Sequence, residues 1–322
     1  MRRLALGELR HGVTDRAVVL GYRLGWSAVR ALPAGAAYRL FDLVAAVAAR
    51  RGTGGVARLR ANYAKVRPEL DAAALDALVR AGMRSYMRYY CDAFRLPDLP
   101  PETLTRSCRI VGEEECRAVL AGGGAVVVFI AHMGNWDLAG AWSTTELAPV
   151  TTVAERLEPE EVFREFLEFR ESLGMTILPL TGGPDPFMGL RAAAARGDFI
   201  ALVGDRDLTN GGLEVDFCGH RARMAKGPAA LSLMTAAPLY AAAIRYEDNP
   251  AVPGSGKGIL IDFSPRILPP DIGSTRDKVL AMTQACADYL GAAVTAHTSE
   301  WHMLQRVFLD DLDHTRFAGS DG

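Results

Sequence analysis

His132 and Asp137 are the residues of this chain best suited to acid–base chemistry, five positions apart in Ile130-Ala131-His132-Met133-Gly134-Asn135-Trp136-Asp137. Ala125 to Ile130, immediately before them, is a fully apolar run of strand length, as a central parallel strand requires. His132 therefore falls just past the carboxyl end of a buried strand, where open α/β sheets hold their ligands. Asp137 falls in the first turn of a helix expected from about Asn135. This spacing lets the carboxylate fold back over the Gly134 turn and accept a hydrogen bond from one imidazole nitrogen. The other nitrogen is then unprotonated and faces the cleft. Such a His–Asp pair without a neighbouring nucleophile suits a general base acting on a substrate hydroxyl. The plainer alternative is an Asp that only favours the helix dipole, beside an unrelated loop histidine. Spacing alone leaves these two readings even.

A second block, Gly204-Asp205-Arg206-Asp207-Leu208, also follows an apolar strand, Phe199 to Val203, and so belongs to the same sheet edge. Arg206 is placed to meet a phosphate or to pair with Asp137 or Asp207, although Asp-Arg-Asp also satisfies itself as an ion-pair loop. Asp205 and Asp207 form an Asp-x-Asp that fits the metal pair of a sugar-nucleotide glycosyltransferase. That reading leaves His132 and Asp137 without a role. Other templates fail: there is no GxSxG and no HExxH, and Ser255-Gly256-Lys257-Gly258 lacks the first Gly and the last Ser/Thr of a phosphate loop. The five cysteines, Cys91, Cys108, Cys116, Cys218 and Cys286, contain no CxxC pair, which argues against a disulfide framework or a cysteine zinc site and fits a reducing compartment. His220, between hairpin strands beside Arg221 and Arg223, is expected at the surface. His302 with Trp301 is expected to serve packing, and His11, His297 and His314 carry no pattern.

The elements that must position these residues follow from periodicity. Arg16, Arg23 and Arg30 make one polar stripe of a helix from Asp15 to Leu32, with Val18, Tyr22, Leu24, Val29 and Leu32 on the wide opposite face. Further helices are expected over Tyr38–Arg51, Val56–Val66 and Leu75–Leu96. After Pro97 and Pro100-Pro101 the pattern alternates. Helix Glu113–Leu120 and strand Ala125–Ile130 come first, followed by the helix from Asn135 and strand Val150–Ala154. Helix Pro159–Leu173 and strand Thr176–Leu178 are next, then helix Pro186–Arg196 and strand Phe199–Val203. Later strands are Leu213–Phe217, Leu239–Tyr246 and Gly258–Phe263, before a long helix from Thr275 to about Thr295. This rhythm predicts an α/β fold with a central, mostly parallel, twisted sheet flanked by helices. A helical region over residues 1–96 and an α/β core over 97–322 are expected to form one integrated unit. Between Lys226 and Arg245 lie 18 uncharged residues, enough to be mistaken for a membrane span. Pro228 and Pro238 break them into a short buried helix and a buried strand. The N-terminal residues lack the long apolar region and cleavage site of a signal peptide.

Charge is divided as sharply as the pattern. Residues 1–96 hold 17 Lys+Arg against 7 Asp+Glu, a net of +10, and residues 97–322 hold 19 against 31, a net of −12. A basic arm on an acidic body suggests an anionic partner. Hydrophobic residues at 49% and a mean hydropathy of +0.07 exclude a disordered chain. No helix-turn-helix or aromatic-basic signature accompanies the arm, so nucleic acid is not the expected partner.

His132-x-x-x-x-Asp137 resembles the HxxxxD motif of the glycerolipid and lipid A acyltransferase superfamily. Four further segments resemble one branch, the actinobacterial phosphatidylinositol mannoside acyltransferases: Met83-Arg84-Ser85-Tyr86-Met87-Arg88-Tyr89-Tyr90-Cys91, Gly204-Asp205-Arg206-Asp207-Leu208, Arg223-Met224-Ala225-Lys226-Gly227-Pro228-Ala229 and Trp301-His302-Met303-Leu304-Gln305. The resemblance runs from about Gly21 to Asp313. It implies acyl transfer from a long-chain acyl-CoA, palmitoyl-CoA foremost, to the 6-hydroxyl of a mannose on a phosphatidylinositol mannoside. His132 would then be the base and Asp137 the holder of its tautomer. The resemblance also implies an acidic residue near the histidine, matched by Asp205, and places Glu155 and Arg170 near the acyl-CoA site. Arg206 and Asp207 are counted with the substrate-binding residues. No metal or bound cofactor is expected, and the tetrahedral oxyanion would be met by amides after Gly134. The basic arm then suits an anionic membrane surface, with the protein a peripheral monomer on the cytoplasmic face of the plasma membrane. A lipid A-like glycolipid is the nearest alternative acceptor, and a non-enzymatic lipid-binding protein the remaining class.

Overall fold

The computed structural model describes residues 25, 26, 29–156, 160–207, 211–252 and 256–312. The first of the expected helices, Asp15 to Leu32, lies mostly outside these residues, as do His11 and His314. Residues 25, 26 and 29–31 are helical, and after Pro33 come three helices: α1 (Ala34–Arg51), α2 (Gly55–Val66) and α3 (Ala72–Arg95). Pro33 precedes α1 and Gly52, in the left-handed region at φ 60°, ends it. Asp71 caps α3 by accepting from the Ala74 amide. Gly82 of α3 faces the Tyr63 ring of α2, where a Cβ would lie 2.3 Å from the phenolic oxygen, so glycine sets how closely these helices cross.

Beyond Pro100 the chain alternates through α4 (Pro101–Arg106), β1 (Cys108–Val111), α5 (Glu114–Ala121), β2 (Val126–Ile130), α6 (Trp136–Glu146), β3 (Val150–Ala154), α7 (Glu160–Ser172), β4 (Thr176–Pro179), α8 (Pro186–Arg196) and β5 (Phe199–Val203). A hairpin of β6 (Leu213–Phe217) and β7 (His220–Met224) follows, then α9 (Gly227–Thr235), β8 (Leu239–Asp248), β9 (Lys257–Phe263) and α10 (Thr275–Ala296). The main sheet has the order β1-β9-β8-β2-β5-β3-β4 and is parallel except where β8 meets β9. The expected uncharged stretch Gly227 to Ile244 is indeed α9 followed by the start of β8, and no described helix is long and apolar enough to cross a membrane.

Every residue of β2 is buried, because helices cover both faces of the sheet. Val126, Val128 and Ile130 pack on one face with Leu138 and Trp142 of α6, while Val127 and Phe129 pack on the other with α9 and α10. Two short elements, α4 and β1, were not expected from periodicity. The β1 residues alternate between half-buried and exposed at a sheet edge, so no continuous apolar run announces them. His220 is the first residue of β7 and packs edge-on against Phe308, with ring centroids 5.4 Å apart, not a freely solvated histidine between strands.

Candidate active site

The His132 side chain emerges where β2 ends. Gly134, at φ 61°, turns the chain there, and a Cβ would meet the Ile244 carbonyl oxygen at 2.5 Å. The turn is tied down by backbone bonds from His302 to the His132 oxygen (2.7 Å) and from Gly134 to the Glu300 oxygen (3.0 Å). Asn135 then caps α6 by accepting from the Leu138 amide (2.9 Å). Its amide nitrogen donates to the Tyr246 hydroxyl, which donates to Asp92, and Tyr38 donates to the other Asp92 oxygen. The loop that carries His132 is thus held from the helical region as well as from the sheet.

The imidazole partner is Asp205. His132 Nδ1 lies 2.6 Å from Asp205 Oδ1, and Asp205 Oδ2 accepts the His132 amide at 3.0 Å and the Trp301 indole N–H at 2.8 Å. β2 and β5 pair in parallel, with Ile130 opposite Val203, so the residues that follow the two strands meet at one edge. Asp205 is fully buried. Burial works against its charge, but the imidazole, the indole and the amide outweigh it and hold the carboxyl below the usual range. An ionised Asp205 accepts from Nδ1–H, which leaves Nε2 as the basic nitrogen. His132 lines a cavity of about 620 Å³.

This corrects the expected pairing of His132 with Asp137. Asp137 accepts from Arg170 Nε at 2.7 Å and from the Tyr89 hydroxyl at 2.6 Å, and its side chain is 2% exposed. The helix-start position turns the carboxylate toward α3 and α7 instead of back over Gly134. Burial would lower the pKa of Arg170, but Asp137 beside it raises it further. The lining of the same cavity therefore also carries a fixed guanidinium–carboxylate pair. Arg170, hard to separate from a helix-surface charge by pattern, is half-buried in that pair. Glu155 accepts from Arg206 Nη2 at 3.0 Å, and both line the cavity with Asp207. Arg206 pairs with Glu155, not with either of the two expected aspartates, and its Nη1 is buried without a hydrogen-bond partner among the described residues. The Asp-x-Asp reading loses its first ligand, since both Asp205 oxygens are engaged by N–H donors.

Pattern reading missed Trp301, Tyr89 and the surroundings of His302. His302 lines the cavity rather than only packing, with Nε2 2.8 Å from Ser85 Oγ and Nδ1 buried without a hydrogen-bond partner among the described residues. Burial, reinforced by nearby His132, pushes its pKa down to about 3, so it is neutral. Tyr89 stacks on Trp136, with ring centroids 4.3 Å apart, and Trp136 meets His132 edge-on at 5.7 Å. The available signals were the helical spacing of Ser85 and Tyr89 and the Trp-His pair at the C-terminal end.

The cavity has two parts. A slot between α6 and the sheet is walled by small or apolar side chains, among them Gly140, Ser143, Ala201 and Ala242. Beyond the strand ends the lining passes to Tyr86, Tyr90, Arg206 and Gln305. A base at the junction of an apolar slot and a polar groove suits transfer between an apolar-tailed donor and a polar hydroxyl.

The chain matches the family model of the bacterial lipid A biosynthesis acyltransferases over residues 9–310. It is 39% identical over 307 residues to a phosphatidylinositol mannoside acyltransferase of Mycolicibacterium smegmatis, with 95% of each chain covered. It is 40% identical over 312 residues to a protein of the same name from Mycobacterium tuberculosis, with 96% of this chain and 94% of the relative covered.

Proposed function

Because the chain belongs to the bacterial lipid A biosynthesis acyltransferase family, we propose that it moves a long-chain acyl group, palmitoyl foremost, from acyl-CoA to the mannose 6-hydroxyl of a phosphatidylinositol mannoside. The names of the two relatives support the acceptor. The observation that carries the reaction type is the His132–Asp205 pair at the mouth of the apolar slot. The slot spans the sheet from Val150 on β3 to Phe263 on β9, about 19 Å at the usual strand spacing. That extent suits a long acyl chain.

In this reading His132 Nε2 takes the proton of the acceptor hydroxyl as its oxygen attacks the thioester carbonyl. Asp205 holds the tautomer and stabilises the imidazolium, the role the sequence reading assigned to Asp137. Amides at the start of α6 offer donors to the tetrahedral oxyanion. The C–S bond then breaks, and the imidazolium proton goes to the departing CoA thiolate. Thiolate is a good leaving group, so the path needs no covalent enzyme intermediate and no metal. The fixed Asp137–Arg170 pair keeps the start of α6 and the wall near the thioester in place, and Arg206 is positioned for a substrate oxygen or phosphate.

Attachment to the cytoplasmic face of the membrane, as a peripheral protein, is part of the proposal. On α1, Leu40, Leu43, Val44 and Val47 form one helical stripe that is 43%, 61%, 45% and 38% exposed, with Arg39, Arg50 and Arg51 on the same helix. The test of the activity is incubation of purified protein with palmitoyl-CoA and a panel of glycolipids, with products read by mass spectrometry. An acylated phosphatidylinositol mannoside is expected, lost in His132→Ala and unaffected by EDTA. Acylation of a lipid A-type acceptor alone, or a requirement for Mn²⁺, would overturn the proposal.

A further inference from the structure

Asn135 is buried at the start of α6, and the two ends of its amide have different partners. Oδ1 accepts the Leu138 amide at 2.9 Å and caps the helix, while Nδ2 donates to the Tyr246 hydroxyl at 3.2 Å. An aspartate would cap α6 as well as an asparagine does. What the carboxamide adds is a donor on its other side. Tyr246 can accept from that donor because its own proton is committed to Asp92, at 2.6 Å. Burial, with Asp92 beside it, holds the Tyr246 phenol well above its ordinary pKa, so the proton stays on the oxygen.

Asp92 ends the relay because a carboxylate can only accept. Its second oxygen takes the Tyr38 hydroxyl at 2.6 Å. Arg88, one turn earlier on α3, lies over both phenol rings, 4.9 Å from the Tyr38 centroid and 5.6 Å from that of Tyr246. Burial raises the Asp92 carboxyl above its ordinary range, and the two phenols, Arg88 and Asn135 work against that. Each hydrogen bond from Asn135 to Asp92 therefore has one allowed direction.

The face of α6 that carries this relay is turned away from the catalytic cavity. Asn135 and Leu138 line a second cavity of about 220 Å³ with Tyr38 and Asp92, whereas Trp136, Asp137, Ala139 and Gly140 line the catalytic one. Beside that gap, polar bonds hold the start of α6. A rotated Asn135 amide would shift the first helical turn and the His132 turn before it, although none of Tyr38, Asp92, Asn135 and Tyr246 lines the catalytic cavity.

We infer that Asp92 is a positioning residue: through Tyr246 it fixes which way the Asn135 amide faces, and so sets the first turn of α6 and the turn that carries His132. The inference rests on the proposed acyl transfer and adds to it a residue outside the catalytic cavity.

The test exchanges the two ends of the relay and follows acylation of a phosphatidylinositol mannoside by mass spectrometry. Asn135→Asp keeps the helix cap but sets a second carboxylate against Asp92, with one Tyr246 proton between them. It is expected to lower kcat about tenfold to a hundredfold, as a misplacement of about 1 Å does, with KM for palmitoyl-CoA close to wild type. Asp92→Asn still accepts from Tyr246 and should lose no more than about fivefold, the worth of one neutral hydrogen bond. In the double variant the direction reverses. The new amide at position 92 donates to Tyr246, and Tyr246 donates to the new carboxylate at position 135, so kcat should return to within about fivefold of wild type. Melting curves accompany each variant. Tyr246→Phe, which keeps the ring and breaks the relay at its middle, replaces Asn135→Asp if that variant is unfolded, and should lower kcat about tenfold at unchanged KM. Wild-type kcat in the folded single variant, or a double variant no better than Asn135→Asp alone, overturns the positioning role while the proposed function stands. A wild type that acylates no glycolipid overturns the proposed function, and the positioning role falls with it.

Discussion

The residue that distinguishes this site is Asp205, because both of its oxygens are spent on orienting His132 and on binding Trp301. Asp137, the acidic member of the sequence motif, is instead consumed by Arg170 and Tyr89. The two carboxylates should therefore fail differently. Asp205→Asn is expected to cut kcat by about 10³–10⁴-fold while leaving most of the stability, since the imidazole loses its tautomer. Asp137→Asn leaves the half-buried Arg170 guanidinium without its counter-charge and should cost up to about 3 kcal/mol of stability. Parallel kcat and melting measurements separate them, and equal loss of stability in both variants would contradict the division of roles. His302 has its own signature. Its folded pKa, about 3, lies below that of an unfolded histidine, near 6.5, so the unfolded chain binds the extra proton between them. Stability is then complete above about pH 6.5 and falls as pH drops toward 3, by at most about 1.4 kcal/mol per pH unit. Denaturant titrations should show that slope in the wild type and lose it in His302→Gln.

At the scale of elements, the site is a meeting of strand ends. Parallel pairing of β2 with β5 brings His132 and Asp205 to the same edge, although 73 positions separate them in sequence. The helix after β2 is started by Gly134 and Asn135, and the slot beneath it exists because Gly140, Ser143, Ala201 and Ala242 are small. The exposed stripe of α1 belongs to this scale too. Leu43→Glu combined with Val44→Glu should abolish flotation with anionic vesicles while leaving the melting temperature within a few degrees, and wild-type binding should weaken with salt. Undiminished flotation of that variant would remove α1 from the attachment. Most elements were legible from periodicity. The strands β3, β5 and β6 and the helix α8 have the expected bounds, because Gly, Pro and apolar runs punctuate them. β1 and the antiparallel pairing of β8 with β9 were not legible: an edge strand carries no continuous apolar run, and pairing direction depends on a connection read only in three dimensions.

Over the whole molecule, the C-terminal residues clasp the helical third to the sheet. Asn62 donates from one amide nitrogen to the carbonyls of Met303 and Gln305, each at 2.8 Å, and the Tyr63 hydroxyl donates to the Trp301 carbonyl at 2.9 Å. That segment also supplies Trp301 to Asp205 and His302 to the cavity. Asn62→Ala leaves the buried Met303 carbonyl without this donor and should cost about 1–3 kcal/mol. It should also lower kcat, because the strap it holds carries the indole that fixes Asp205. A loss of stability with unchanged kcat would show that the strap and the site are uncoupled.

By itself the sequence determined the class of fold, the order of nearly all elements, and the sheet edge at which His132 stands. These depend on local patterns: apolar runs, helical periods, turn residues and the position of His132 after a buried strand. Only the tertiary structure decided which carboxylate pairs with His132, because a side chain five positions away competes with every other donor and acceptor that the fold brings near. Arg170 and Tyr89 claimed Asp137, which left the imidazole to Asp205, a residue close only once two strands had paired.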